Sequence, residues 1–115
     1  MEIITNRVMD EERALYGMRD LTIRDCAFEG PADGESALKE CSNITAENTT
    51  FALRYPCWHD HGIVIKNSEL TDTCRAPLWY SHSIHILGSK IHGVKALREC
   101  GNVEIADSDI RSPEF

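Results

Sequence analysis

Five segments of the chain align without a gap: Asp20–Phe28, Asn43–Phe51, Gly62–Leu70, Ser83–Ile91 and Asn102–Ile110. Nothing else in the sequence restricts the fold as much. Their first apolar residues, Leu21, Ile44, Ile63, Ile84 and Val103, stand 23, 19, 21 and 19 residues apart. Two positions on come Ile23, Ala46, Ile65, Ile86 and Ile105, a period of two that belongs to a strand. A third apolar row is Phe28, Phe51, Leu70, Ile91 and Ile110. A repeat near twenty residues indicates an array of stacked units, each too small to bury its own apolar face.

The columns between these rows decide what kind of array forms. Asp20, Asn43, Gly62, Ser83 and Asn102 precede each strand, and Asp25, Asn48, Asn67, Gly88 and Asp107 follow its second apolar residue. Asp, Asn and Gly tolerate left-handed backbone angles at the least cost. A bend at the same place in every repeat coils the chain instead of folding it into hairpins. The next column, Cys26, Thr49, Ser68, Ser89 and Ser108, is uniformly small and suits an inward position just past the bend. Six places before the first apolar row stand Leu15, Leu38, Cys57, Leu78 and Leu97, which predict a second short strand in each coil. The expected fold is therefore all-β, a right-handed parallel β-helix of about five coils. Its strands pair with their counterparts about 4.8 Å away. The hand follows from the right-handed preference of crossover connections. A leucine-rich repeat would need a Leu and Asn pattern that is absent, and a β-sandwich would not give Asn and Gly columns in fixed phase.

The reading assigns one domain over 1–115, with coils centred on 21–28, 44–51, 63–70, 84–91 and 103–110. Residues 1–14 are expected to cap the front, with Met9–Leu15 as a short charged turn or helix and Ile3, Ile4 and Val8 packed on the first coil. Such a cap would cover a strand edge that otherwise invites aggregation. No equivalent cover follows Arg111, so the sequence predicts either further coils or an end-to-end homo-oligomer through the open C-terminal end. The longer loops, Glu29–Ser36 and Thr71–Ala76, are candidates for a binding face.

A net charge of −7 argues against a nucleic-acid phosphate backbone as partner, because affinity there comes from clustered Lys and Arg. No stretch is apolar and long enough for a signal peptide or a membrane span, which places the chain in the cytoplasm with no membrane partner. Five widely spaced cysteines with no CxxC pair read as reduced core thiols. No cofactor is expected.

The chemistry-bearing residues lie just ahead of the first apolar row. Five places before it stand Tyr16, Lys39, Trp58, Trp79 and Arg98; four before it stand Gly17, Glu40, His59, Tyr80 and Glu99. Stacking turns these columns into ladders. Glu40, His59, Tyr80 and Glu99 are the candidates for acid–base work. Lys39, Trp58, Trp79, Arg98 and the loop residue Arg75 are the candidates for holding a ligand such as a sugar ring. Glu40 and Glu99 stand three coils apart, about 14 Å at the ladder spacing. That is too far for paired glycosidic catalysis, which needs about 5 to 9.5 Å; Asp60 would shorten the gap. His61 and His82 are weaker metal candidates.

Spacing alone leaves the direction of the Glu40–His59–Tyr80–Glu99 row open. Strict alternation from Leu38 turns it inward, as a buried polar row that must satisfy itself. A bend between the columns turns it outward, as a groove. Three functions stay open: a carbohydrate-recognition module without catalysis, a carbohydrate-active enzyme of lyase or hydrolase type, and a scaffold that binds another protein.

The blocks Glu12–Gly17 (ERALYG), Phe28–Glu40 (FEGPADGESALKE), Leu53–Asp60 (LRYPCWHD), Thr73–Ser81 (TCRAPLWYS), Val94–Cys100 (VKALREC) and Ser112–Phe115 (SPEF) closely resemble an uncharacterised bacterial family known only as a domain of unknown function. The resemblance spans essentially the whole chain. It implies a pectin-lyase-like right-handed β-helix. Members of the family continue with further coils after the SPEF block, so this chain resembles their N-terminal half. The resemblance brings no activity and no catalytic residue.

Overall fold

The computed structural model describes residues 2–31, 34–71, 73–74, 78–92 and 100–111. In chain order the strands are β1 (Glu2–Thr5), β2 (Val8–Met9), β3 (Arg19–Arg24), β4 (Ala27–Phe28), β5 (Ser42–Glu47), β6 (Thr50–Phe51), β7 (His61–Lys66), β8 (Glu69–Leu70), β9 (His82–Leu87), β10 (Lys90–Ile91), β11 (Gly101–Ala106) and β12 (Asp109–Ile110). The odd-numbered strands form one parallel sheet in the order β1-β3-β5-β7-β9-β11, and the even-numbered strands form the second in the same stacking order. The molecule is a β-solenoid. No helix among the described residues is long and apolar enough to cross a membrane.

Each apolar row of the sequence is a line of paired residues. Leu21 faces Ile44, Ile44 faces Ile63, Ile63 faces Ile84, and Ile84 faces Val103. The Ile23 row and the Phe28 row follow the same register. From Leu21 to Ile91 these side chains are essentially excluded from solvent, and Phe28 stacks on Phe51 at 5.0 Å. Fully burying a residue of this size contributes roughly 1.5–3 kcal/mol, so the rows supply the main driving force.

Bends stand where the Asp, Asn and Gly columns predict them. Asp20, Asn43, Gly62, Ser83 and Asn102 have φ between 54° and 75°, and Asp25, Asn48, Asn67, Gly88 and Asp107 between 47° and 56°. The small column points inward and makes a ladder of its own. Thr49 N–H donates to Ser68 Oγ at 3.0 Å, Ser68 N–H to Ser89 Oγ at 3.1 Å, and Ser89 N–H to Ser108 Oγ at 3.1 Å. Each hydroxyl donates in turn to the carbonyl two residues before it. The buried amides of Thr49, Ser68 and Ser89 are thereby all paired.

Two expectations are corrected. The second strand predicted on the Leu38 row is a turn in the described coils, although Leu38, Cys57 and Leu78 are buried as expected; Leu97 lies outside the described residues. The reason is a further pair of left-handed residues four apart, Ser36 and Glu40 in one coil and Tyr55 and His59 in the next. They leave too short an extended run for a strand, yet Leu38 N–H still donates to Pro56 O at 2.6 Å across coils. The N-terminal segment is not a separate cap: β1 and β2 pair with β3 and β4 as a first rung of both sheets. Ile4 and Met9 supply its core, while Ile3 and Val8 face solvent. Residues 12–17 form a turn, one of the two forms expected for Met9–Leu15.

In the Glu29–Ser36 loop, Gly34 lies against the preceding coil. Gly34 N–H donates to Asp10 O at 2.8 Å, and a Cβ on Gly34 would stand 2.2 Å from the Glu12 nitrogen, so only glycine fits that approach.

Candidate functional site

A left-handed residue breaks the alternation of side chains along a strand, and that settles the direction of the ladder. Gly17, Glu40, His59 and Tyr80 all have φ between 59° and 71°. Consequently Lys39 and Glu40, Trp58 and His59, and Trp79 and Tyr80 reach the same outer face, while the next column, Cys41, Asp60 and Ser81, is fully buried. The Glu40–His59–Tyr80 row faces out. Coil-to-coil bonds hold it there: Glu40 N–H donates to Trp58 O at 3.0 Å and His59 N–H to Trp79 O at 2.8 Å. Glu99, Arg98 and Arg75 lie outside the described residues.

Lys39, Glu40, Trp58, His59, Tyr80 and His82 line one open groove of about 350 Å³, at the small end of the range for ligand sites. Trp58 and Trp79 are half-buried and stack on each other at 5.3 Å and 10°. Lys39 Nζ sits over the Trp58 ring, 4.2 Å from its centroid. Tyr55, a residue the column reading missed, tilts against both indoles at 6.3 and 5.7 Å. It immediately precedes Pro56, and no periodic signal marks it. With the faces of Trp58 taken by Lys39 and Trp79, the exposed ring of the groove is Tyr80, 40 % accessible and stacked on Trp79 at 5.1 Å.

The polar side of the groove is built around histidine. Glu40 Oε1 lies 2.7 Å from His59 Nδ1, which orients the ring and leaves Nε2 toward other partners. His59 meets His61 edge-on at 5.6 Å, and His61 stacks on His82 at 5.6 Å and 16°. Gly101 makes room for His82, since a Cβ there would stand 2.8 Å from its Nδ1. Lone pairs of near-parallel stacked rings lie in separate planes and do not converge on one ion. Among the described residues no three His, Cys, Asp or Glu side chains are arranged to hold a metal.

Asp60 does not serve as the second carboxylate. It points into the core, fully buried, where Oδ1 accepts the Cys41 N–H at 2.7 Å and Oδ2 has no hydrogen-bond partner. Ser81, next in the column, accepts the Asp60 N–H at 3.1 Å and donates to Cys57 O. Burial pushes the Asp60 carboxyl up to about 8, with Glu40 adding to the rise and the Cys41 amide opposing it. Burial likewise pushes Cys41 up to about 12 and raises Cys57, Cys74 and Cys100. These thiols are free and unreactive at neutral pH, because the thiolate is the nucleophile. No described residue of either long loop lines the groove: Gly34 ties the first to the preceding coil, and Thr73 Oγ1 in the second donates to Ala52 O at 2.8 Å.

Fold and site together define a β-solenoid with a lateral aromatic and histidine groove. Within that class, the chain belongs to the family described as Protein of unknown function (DUF3737), which matches residues 2–115. No curated protein and no solved structure matches it.

Proposed function

We propose that this protein is a binding module for a small carbohydrate, with the ligand seated in the Lys39–His82 groove and no bond broken. The observation that carries the reading is the exposed Tyr80 ring beside the Glu40–His59 pair and His82 in one groove. A sugar has apolar C–H faces and a rim of hydroxyls, so it suits an aromatic surface edged with donors and acceptors. Tyr80 takes the stacking role that the sequence suggested for Trp58 and Trp79, and the indoles serve as its backing. Glycan-array and small-sugar screens of the native protein and of Tyr80→Ala test this. Binding of at least one sugar, weakened about tenfold or more by the substitution, is expected, since an aromatic contact contributes of order 1 kcal/mol beyond its buried area. Absence of sugar binding by the native protein would overturn the reading.

The 2.7 Å contact between Glu40 and His59 favours a second reading, an enzyme in which Glu40 orients His59 as a general base. Turnover of a bound sugar that disappears in His59→Ala while binding persists would select it. We place the protein in the cytoplasm because its five cysteines are free, and we take the coil to be right-handed and pectin-lyase-like. Ile105 is 42 % exposed where its counterpart Ile86 is fully buried, and we take that apolar surface as the place where a second copy packs. Light scattering at high concentration tests it, with a strictly monomeric species as the contrary result.

A further inference from the structure

We propose that the groove selects an anionic ligand, a sugar or sugar-like molecule bearing a carboxylate or phosphate, with Lys39 as the residue that reads the charge. This deepens the carbohydrate reading and rests on the groove being a ligand site. The argument is a balance of donors and acceptors within the six lining side chains. Glu40 is the single carboxylate among the described residues that line the groove, and its Oε1 is committed to His59 Nδ1 at 2.7 Å.

Lys39 forms no ion pair with a described residue; its ammonium is held over Trp58, 4.2 Å from the ring centroid. A cation on an indole face keeps its outward N–H groups free, so an oxyanion can approach from the groove without breaking the cation–π contact. His59 Nε2, the His82 imidazole and the Tyr80 hydroxyl add further hydrogen-bonding groups around the same space. The ion pairs that His85 and His92 make, with Glu104 and Asp109, lie elsewhere. A cation-bearing, donor-rich groove on a chain of net charge −7 runs against the rest of the surface, which repels anions at long range. Its preference is therefore local and short-ranged, and it is set by charge-assisted hydrogen bonds to Lys39.

The test compares glucose, glucuronate, glucose 6-phosphate and inorganic phosphate by titration calorimetry and tryptophan fluorescence. Native protein, Lys39→Met and Lys39→Arg are titrated, with circular dichroism to establish that each is folded. One of the two charged sugars should bind at least about tenfold more tightly than glucose, the increment of a hydrogen bond to a charged group. The two charged sugars distinguish carboxylate from phosphate as the group read. Lys39→Met should abolish the preference, Lys39→Arg should retain most of it, and raising salt from about 0.05 to about 0.5 M should weaken it. Equal affinity for charged and neutral sugars, or a preference that survives Lys39→Met, overturns the proposal and leaves the carbohydrate reading standing. Lys39-dependent binding of phosphate with no sugar bound sustains the anion assignment and overturns the carbohydrate reading. No binding of any of the four probes overturns the anion assignment, and the glycan array then decides the carbohydrate reading.

Discussion

Asp60 shows how one residue can oppose its own fold. Its carboxyl is fully buried, with one oxygen bonded to the Cys41 amide and the other unpartnered. Burial moves its pKa from 3.8 to about 8, so the folded protein retains a proton that the unfolded chain releases above about pH 4. Stability tied to this group is complete below that pH. It falls as pH rises towards 8, by about 1.4 kcal/mol per unit, and levels off beyond. Asp109 contributes the opposite slope, because His92 holds its carboxyl below the ordinary range, but only at acidic pH. Urea unfolding between pH 5 and pH 8 should therefore show a falling midpoint in the native protein. In Asp60→Asn, which keeps an acceptor for the Cys41 amide, the slope should be much flatter and the protein more stable than native at pH 8. A native midpoint independent of pH across that range contradicts the assignment. Nothing in the columns marks Asp60 as inward; its neighbours His59 and His61 are both exposed.

Among the elements, the small column past the second bend is the one whose chemistry was readable in advance. A uniform run of Cys, Thr and Ser at one phase predicted an inward stack, and the structure makes it a hydroxyl-to-amide ladder. Ser68→Ala removes the acceptor of the buried Thr49 amide and the donor to Lys66 O. Leaving that amide unpaired should cost about 1–3 kcal/mol. Glu69→Ala, one residue on and partly exposed, should change stability by less than about 0.5 kcal/mol. Equal effects of the two substitutions in urea melts would remove the ladder from the account. The third bend was not readable, and the reason is chemical. Asp, Asn and Gly in a column announce a left-handed residue, whereas the third column mixes His59, a type enriched in that conformation, with Glu40 and Tyr80, which are not. Their φ values cost energy locally and are held by the inter-coil amide bonds around them.

At the scale of the molecule, every coil touches only its neighbours, so stability varies along the stack in the manner of a one-dimensional array. The Ile23 row measures this directly: Ile65 and Ile86 are fully buried, and Ile105 is 42 % exposed. Ile65→Ala should cost about 2–5 kcal/mol, and Ile105→Ala markedly less. Amide hydrogen exchange should be slower in β5 and β7, each paired with a strand on both sides, than in the turns that join the coils. Equal protection of these strands and the turns would contradict the picture. The same geometry carries the groove, since Lys39 and Glu40, Trp58 and His59, and Tyr80 with His82 come from three successive coils. Loss of pairing between the coils on β5 and β7 would separate Glu40 from His59.

The sequence by itself determined the solenoid, its register and its core, because rows of period two and columns of Asp, Asn and Gly are local signals repeated five times in phase. It also brought Glu40, His59 and Tyr80, and Lys39, Trp58 and Trp79, into two adjacent ladders. Only the tertiary structure decided that both ladders share one outward groove, that Asp60 turns inward, and that β1 and β2 extend the stack. Each of those outcomes depends on a backbone angle or a partner in another coil, and residue type alone does not specify either.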